Sequence, residues 1–569
     1  MYWQMYRNEF FVVLGLLLMT TSVFALEENR QIVNAHDSMD MVWATEDYLA
    51  TAQFPKGDAR KTYRKIIMYY TLGCASEGCS DWDYTTQVWA IKNNTRYELG
   101  RVITPYAAYM RLGLEGFDSS WQQTYTFDVT DFVDILEGDI PIQVKYHGWN
   151  RPLGFSASVK FELIEGQPVR PVLDVQALYH GQHDYISSAE FEAAAMPEKS
   201  IKLSKEADSA KLRFTTTGHS FGNDVNCAEF CVRSYQLNVN HQEIARQVMW
   251  RDDCAKNYLF PQGGTWLYNR ANWCPGDKVL PYEHELMSVL NTTDTHLIDL
   301  NIEEYEWSPT DPDNPSPPPY YITDAYLVSY GKVSAKNDAA VTEIIAPNNA
   351  SEYGRANPIC DNAIVKIKNN GSEPLKVALI EYGLEGGFSS FYPWRGHLAF
   401  GETETVTLPR IMWRGKSISN KFYVEITKPN LTNDEYDKDN ILSTTFDFPR
   451  HYEQGLKFVL ATNDQAQENT YSILDAKGDV LTLKDGLVNE SVYTETFETP
   501  GCYTLKIKDR DEDGLSWWLN LRLGLESAGS AHLENSAGEK IHQFQGDFGA
   551  EISHTFTVGS KLTSSSARN

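Results

Sequence analysis

The stretch "GCASEGCSDWDYTTQVWAI", Gly73 to Ile91, closes a small loop between Cys74 and Cys79 and then sets Asp81 and Asp83 on either side of Trp82. A second acid, Glu229, lies between two further close cysteines in "CAEFCVR", and "NRANWCPG" puts Arg270 and Trp273 next to Cys274. Carboxylates ionised at neutral pH can take or orient a proton, and a guanidinium can steady negative charge that develops nearby. Indole faces suit the apolar face of a sugar ring, while acids and arginine suit its hydroxyls. If the three segments meet at one seam, they form a cleft of carboxylates, a guanidinium and the indoles of Trp82, Trp149 and Trp273, and that composition favours a carbohydrate. The competing reading is a set of stapled surface turns with solvated acids and core tryptophans.

Positioning such residues falls to β-strands. Short alternating runs, "KIIMYYTL", "QVWAIKN", "PIQVKYHGW", "SASVKFELIE", "KLRFTTTG" and "SYQLNVNH", are separated by Gly, Asn, Asp and Pro, a pattern of all-β sandwiches. Read as a strand, "CSDWDY" gives Asp81 and Asp83 the same face. Helical rhythm is confined to "AEFEAAAM" and "SMDMVWATEDYL". Farther on, "NAIVKIKNNGSEPLKVALIEYGL" has a strand, Asn-Gly turn, strand pattern.

At 569 residues the chain exceeds one hydrophobic core. Its 50 Lys and Arg against 77 Asp and Glu give a formal charge of −27, which excludes nucleic acid and anionic membrane as partners. Residues 1–25, with Arg7 ahead of "FFVVLGLLLM" and small residues up to Ala25, read as a secretory signal, so the chain is expected to be exported, periplasmic or secreted, without membrane insertion. An exported chain permits its eight cysteines to pair. Clustering pairs Cys74 with Cys79, Cys227 with Cys231 and Cys254 with Cys274. Cys360 and Cys502 either pair, which needs two modules to touch, or stay as buried thiols. The Cys74 and Cys227 bridges, which close the shortest loops, act on local shape more than on global stability.

Taken together, "KIIMYYTLGCASEGCSDWDY", "YELGRVITPY", "VTDFVDIL", "CAEFCVRSYQLNVN" and "RANWCPG" resemble the peptide-N-glycosidase F family over roughly residues 45 to 333, with all six clustered cysteines in order. The resemblance implies two successive eight-stranded jelly rolls with the active site between them. It implies hydrolysis of the amide joining asparagine to the first N-acetylglucosamine of an N-linked glycan, turning asparagine into aspartate. By the same resemblance Asp83 is the essential catalytic aspartate and Glu229 a second acid that supports it. Arg270 is the arginine at the substrate, and Trp82, Trp149, His219 and Trp273 are cleft positions. Two departures stand out: His147 where the family has a glutamate, and Tyr84 where it has an arginine.

The expected order is then a first jelly roll at 26–168, a second at 169–333, an immunoglobulin-like module at 340–448 and a C-terminal β-sandwich module at 456–558. The expected partners are N-linked glycoproteins or glycopeptides acted on by a monomer, and no cofactor is expected. The rival functions are a non-catalytic glycan-binding protein and an endo-acting glycoside hydrolase, which also uses two carboxylates. As metal ligands, His180, His183 and Asp184 in "YHGQHD" make only a weak set. Asp509, Asp511 and Asp513 in "DRDEDG" resemble the first half of a calcium loop, but position twelve is Asn520, so this is not an EF-hand. The alternatives there are a solvated acidic turn and a structural calcium far from the chemistry. Trp517 and Trp518 are expected in a sandwich core.

Overall fold

A computed structural model describes residues 29–559 except 47, 58–61, 108–118, 224, 287, 312, 314, 361, 412 and 414–418; the expected export signal lies outside the described residues. Eight strands build the first sandwich: β1 (Arg30–Met41), β2 (Tyr48–Gln53), β3 (Tyr63–Cys74), β4 (Thr85–Lys92), β5 (Thr95–Ile103), β6 (Gln122–Asp128), β7 (Asp139–Tyr146) and β8 (Phe155–Glu165). One sheet runs β1-β8-β3-β6 and the facing one β5-β4-β7-β2. The alternation in "KIIMYYTL" becomes geometry in β3, where Ile66, Met68, Tyr70 and Leu72 all enter the core between the sheets.

The second sandwich comprises β9 (Val172–Asp184), β10 (Lys199–Ile201), β11 (Ser209–His219), β12 (Arg233–Val239), β13 (Gln242–Met249), a two-residue β14 (Lys278–Val279), β15 (Tyr282–Glu285), β16 (His296–Ile302) and β17 (Tyr320–Tyr330). Its sheets run β15-β11-β17-β9 and β10-β16-β12-β13, while β14 crosses over to extend the first sandwich beside β5. Setting β14 aside and numbering each sandwich from its own first strand, both have the orders 1-8-3-6 and 2-7-4-5. Both therefore share one connectivity, that of a double-sheet jelly roll.

Strand β17 is buried on both faces. Ala325 and Leu327 enter the second core, while Tyr326, Val328 and Tyr330 enter the first. Charges at this seam are mutually satisfied: Arg101, fully buried, donates to Glu98 at 2.7 Å, to Asp324 at 3.1 Å and to Thr217 at 2.7 Å. Such a network, with one guanidinium serving two sandwiches, fixes their relative placement.

Two local expectations change. "SMDMVWATEDYL" is not helical: it contains the end of β1, a turn and the start of β2, with Met41 and Tyr48 entering the core from facing sheets. The other stretch does form a helix, Ser188–Ala195, with the Ser187 hydroxyl accepting the Glu190 N–H. The strands Ile364–Asn369 and Leu375–Leu384 form on either side of Asn370-Gly371, but they lie in different sheets, of three and four strands. The turn is therefore an arch across a sandwich and not a hairpin.

Beyond it, a five-stranded and a four-stranded sheet make a last sandwich over Arg450–Val558. The C-terminal half is tied to the rest by defined contacts. Arg64 of β3 forms buried ion pairs with Asp338 at 2.8 Å and Asp439 at 2.7 Å. Arg355 donates to the carbonyls of Asn257 at 2.8 Å and Phe548 at 3.0 Å. Cys360 and Cys502 do pair, across 142 residues, so the two modules that carry them touch. No helix among the described residues is long and apolar enough to cross a membrane.

Candidate active site

The disulfides Cys74–Cys79, Cys227–Cys231 and Cys254–Cys274 are all formed, and the segments they brace converge at one end of the seam. Residues 80–84 are irregular, because their backbone bonds lead away from a ladder: Ser80 N–H donates to Gly154 O, and Tyr84 N–H to Thr104 Oγ1 at 2.7 Å. Strand parity accordingly fails for the two aspartates. Asp81 is buried and accepts from Asn150 Nδ2 at 3.0 Å, whereas Asp83 turns to Arg270, with its side chain 15% exposed and 3.9 Å from Nη2.

Glu229 is held from both sides. Its N–H donates to Ser220 O at 3.1 Å and its carbonyl accepts from Ala271 N–H at 3.0 Å. The adjacent bridge and Gly218 make this approach possible, since a Cβ on Gly218 would come within 2.5 Å of Ala228 O. The Glu229 carboxylate accepts from Arg270 Nε at 3.1 Å and from Ser220 N–H at 3.2 Å. Arg270 thus lies between both acids.

That guanidinium is 0% exposed. Its other nitrogens donate to the carbonyls of Tyr268 and Thr265, to Thr265 Oγ1 at 3.1 Å and to Tyr106 Oη at 3.3 Å. Phe230 and Trp273 cover it at 4.9 and 4.8 Å from their ring centroids. So arranged, Arg270 faces the two carboxylates and the loop carbonyls and presents no surface to solvent.

Burial is the largest influence on both acids. It pushes Glu229 up to about 7, against the Arg270 charge and with the help of the Asp83 charge. Burial also holds Asp83 above the usual carboxylate range, opposed by Arg270 and by the Tyr106 hydroxyl. Two close acids with raised affinity for protons can divide a proton between donor and acceptor roles.

The remaining expected residues separate into two groups. Trp82 and Trp149 present their indoles to solvent, 49% and 62% exposed, and Tyr84 backs Trp149 edge to face at 6.0 Å. Trp273 does not line a cleft: it is buried, its indole N–H donating to Gly218 O at 2.8 Å, because it packs with Ile103 and Val279 where β14 crosses over. His219 is likewise buried, stacked between Trp273 and Tyr320 at 5.2 Å from each. Its affinity for protons is far below the ordinary value through burial and the nearby charges of Arg101, His147 and Arg270. His147 sits at the seam, its Nε2 3.2 Å from Gln87 Oε1, with burial pulling it down to about 4. Both imidazoles are therefore neutral at neutral pH.

Sequence reasoning passed over Tyr106 and an aromatic rim. Tyr106 is buried under Asp83 and Arg270, and the pairing of Thr85 with Ile103 places it there, just past the end of β5. Phe221, Phe230 and Tyr268 continue as edge-to-face contacts at 5.1 and 6.2 Å. Nothing in their spacing announces them, since Tyr106, the Phe221–Phe230 pair and Tyr268 come from three different loops.

His180, His183 and Asp184 lie on β9, with His183 Nε2 3.4 Å from His180 O and Asp184 opposite Tyr320 of β17. The acidic loop also differs from expectation: Asp511 turns outward to Arg510 at 3.1 Å, and Glu468 takes its place near Asp509 and Asp513. Trp517 is buried with Trp266 and Leu267 between modules and not within one sandwich core.

Residues 188–328 match the family model for peptide-N-glycosidase F, C terminal. Over 226 residues the chain is 29% identical to peptide-N(4)-(N-acetyl-beta-D-glucosaminyl)asparagine amidase F of Elizabethkingia miricola, an alignment of 38% of this chain and 61% of that relative. The chain thus spans less than two thirds of the relative it matches. Among solved structures, PNGase F of Flavobacterium meningosepticum, a glycosylasparaginase, is 22% identical with a TM-score of 0.44, covering 53% of this chain and 96% of that one. PNGF-II is 17% identical with a TM-score of 0.43, over 53% and 65%.

Proposed function

Because the chain is peptide-N-glycosidase F-like in sequence, we propose that it is an exported amidase that hydrolyses the link between asparagine and the first N-acetylglucosamine of N-linked glycoproteins or glycopeptides. The observation that supports the reading is one buried guanidinium, Arg270, serving both Asp83 and Glu229, with an exposed indole, Trp82, next to Asp83 in the chain. An amide resists water, so its hydrolysis needs a base and a group that follows the charge onto the leaving nitrogen or the carbonyl oxygen.

Asp83 is the base. It keeps partial access to solvent and has the weaker hold on Arg270, 3.9 Å against 3.1 Å for Glu229. It takes the proton of the attacking water, a role worth about 10² to 10⁴ in rate. Glu229, whose affinity for a proton reaches into the neutral range, is the donor in the same site. Arg270 and Tyr106 hold the two acids in place. Trp82 and Trp149 offer faces to the sugar, and the neutral His147 lies at the seam beside Gln87.

Incubation with a defined glycopeptide tests this. The expected peptide product carries aspartate in place of the glycosylated asparagine and no sugar. A product that keeps one N-acetylglucosamine supports the glycoside hydrolase instead, and an unchanged but retained glycopeptide supports a binding protein. Either result overturns the amidase.

A further inference from the structure

The carboxylate oxygens of Glu468, Asp509 and Asp513 lie within 4.8 Å of one another in the last sandwich. An acid cluster of this kind is common on surfaces, but here a second feature points inward. Asn469 begins the strand Asn469–Leu474 and is the register partner of Asp509 at the end of the strand Gly501–Asp509. Residues directly opposite in an antiparallel pair put their side chains on the same face, about 5 Å apart at Cβ. The Asn469 side chain therefore lies on the same face as Asp509; it is 0% exposed, and neither its Oδ1 nor its Nδ2 has a hydrogen-bond partner. Asp513 Oδ1 is also buried without a partner.

A buried amide oxygen without a donor is costly, and buried polar groups are nearly always paired. The neighbouring guanidinium of Arg510 is turned to Asp511 at 3.1 Å. A hard divalent cation would satisfy the amide oxygen and the carboxylates together, and an all-oxygen set with several carboxylates is the donor chemistry of calcium. Surrounding contacts hold the donors: Asp509 Oδ2 accepts the N–H groups of Asp513 and Gly514 at 2.6 and 2.7 Å, and Asn520 Nδ2 bridges Asp513 Oδ2 at 2.6 Å to Glu526 Oε2 at 3.2 Å.

The same loop reaches the candidate active site. Past Asp513 it carries Trp517, edge to face with Tyr268 at 5.6 Å, and Trp518, whose indole N–H donates to Gly264 O. At its start, Asp509 N–H donates to Ala550 O at 2.9 Å, and Ala550 N–H to Ala255 O at 3.0 Å. Gly549 allows that approach, since a Cβ there would come within 2.1 Å of Ala255 O. Thr265 and Tyr268, which these contacts support, are the residues whose carbonyls receive Arg270.

We propose that Glu468, Asp509, Asp513 and the amide oxygen of Asn469 bind a calcium ion, and that this ion holds the loop 509–524 in the shape that supports the Cys254–Cys274 segment and, through it, Arg270. The binding site stands independently of the amidase reading.

The full chain, treated with a chelator and then freed of it, tests the proposal by terbium luminescence excited through tryptophan, calcium calorimetry and thermal unfolding. The expected result is terbium emission displaced by calcium, and a higher unfolding temperature in millimolar calcium. Glu468→Gln should weaken calcium binding by about tenfold or more, whereas Asp511→Asn should leave it unchanged. If the wild-type chain shows neither sensitised emission nor a calcium-dependent shift in unfolding, there is no such site. If Asp511→Asn abolishes binding and Glu468→Gln does not, the ligand set is wrong.

Discussion

Arg270 Nε donates to Glu229 Oε1 at 3.1 Å from a position with no solvent exposure, so the guanidinium cannot leave its partner without stranding a buried charge. Removing one member of a buried pair typically costs about 3–5 kcal/mol. Arg270→Ala is expected to lower stability by roughly that amount in urea unfolding. Arg270→Lys is expected to recover part of the stability and little of the activity, because an ammonium cannot reproduce the planar fork. Equal activity in the Lys variant and wild type would show that the fork does not position the acids.

Asp83→Asn removes the base and keeps the shape. Turnover of a glycopeptide should fall by about 10² to 10⁴, with the unfolding midpoint close to wild type or higher, since burial disfavours the carboxylate. Substantial residual turnover would transfer the role of base to another group.

The proton on Glu229 sets a pH limit. Burial lifts its affinity from the ordinary 4.5 to about 7, so a protonated donor is lost as pH rises through that value. The ratio kcat/KM should then fall on the alkaline side near neutrality, and Glu229→Gln should flatten that limb while lowering the maximum. Stability has a related sign: the folded state holds the extra proton between 4.5 and about 7, so this group's contribution weakens as pH rises through that window. An alkaline limb unchanged in Glu229→Gln would assign it elsewhere.

The two kinds of disulfide should differ in what they control. Cys360–Cys502 closes 142 residues and Cys74–Cys79 only 5, which the chain-entropy scaling converts to roughly 5 against roughly 2 kcal/mol. Cys360→Ser with Cys502→Ser should therefore cost more stability and less activity than Cys74→Ser with Cys79→Ser. The reverse order in paired unfolding and activity measurements would mean that the small bridge does not act through local shape.

The alternation in "KIIMYYTL" and "QVWAIKN" was enough to read β3 and β4, because inward and outward positions along a strand follow from the two-residue period alone. The three short cysteine pairs and the placing of Glu229 inside one of them were equally local, since close spacing leaves few alternatives. Parity failed at Asp81 and Asp83 because Gly154 and Thr104, distant in sequence, take the N–H groups of the flanking Ser80 and Tyr84. Tertiary structure alone decided that Trp273 turns inward, that Tyr106 joins the two acids, that Asn369 and Leu375 enter different sheets, and that Glu468 and Asn469 meet Asp509. Each of those outcomes depends on which strand lies opposite, and strand register is set by non-local packing that no window of the chain contains.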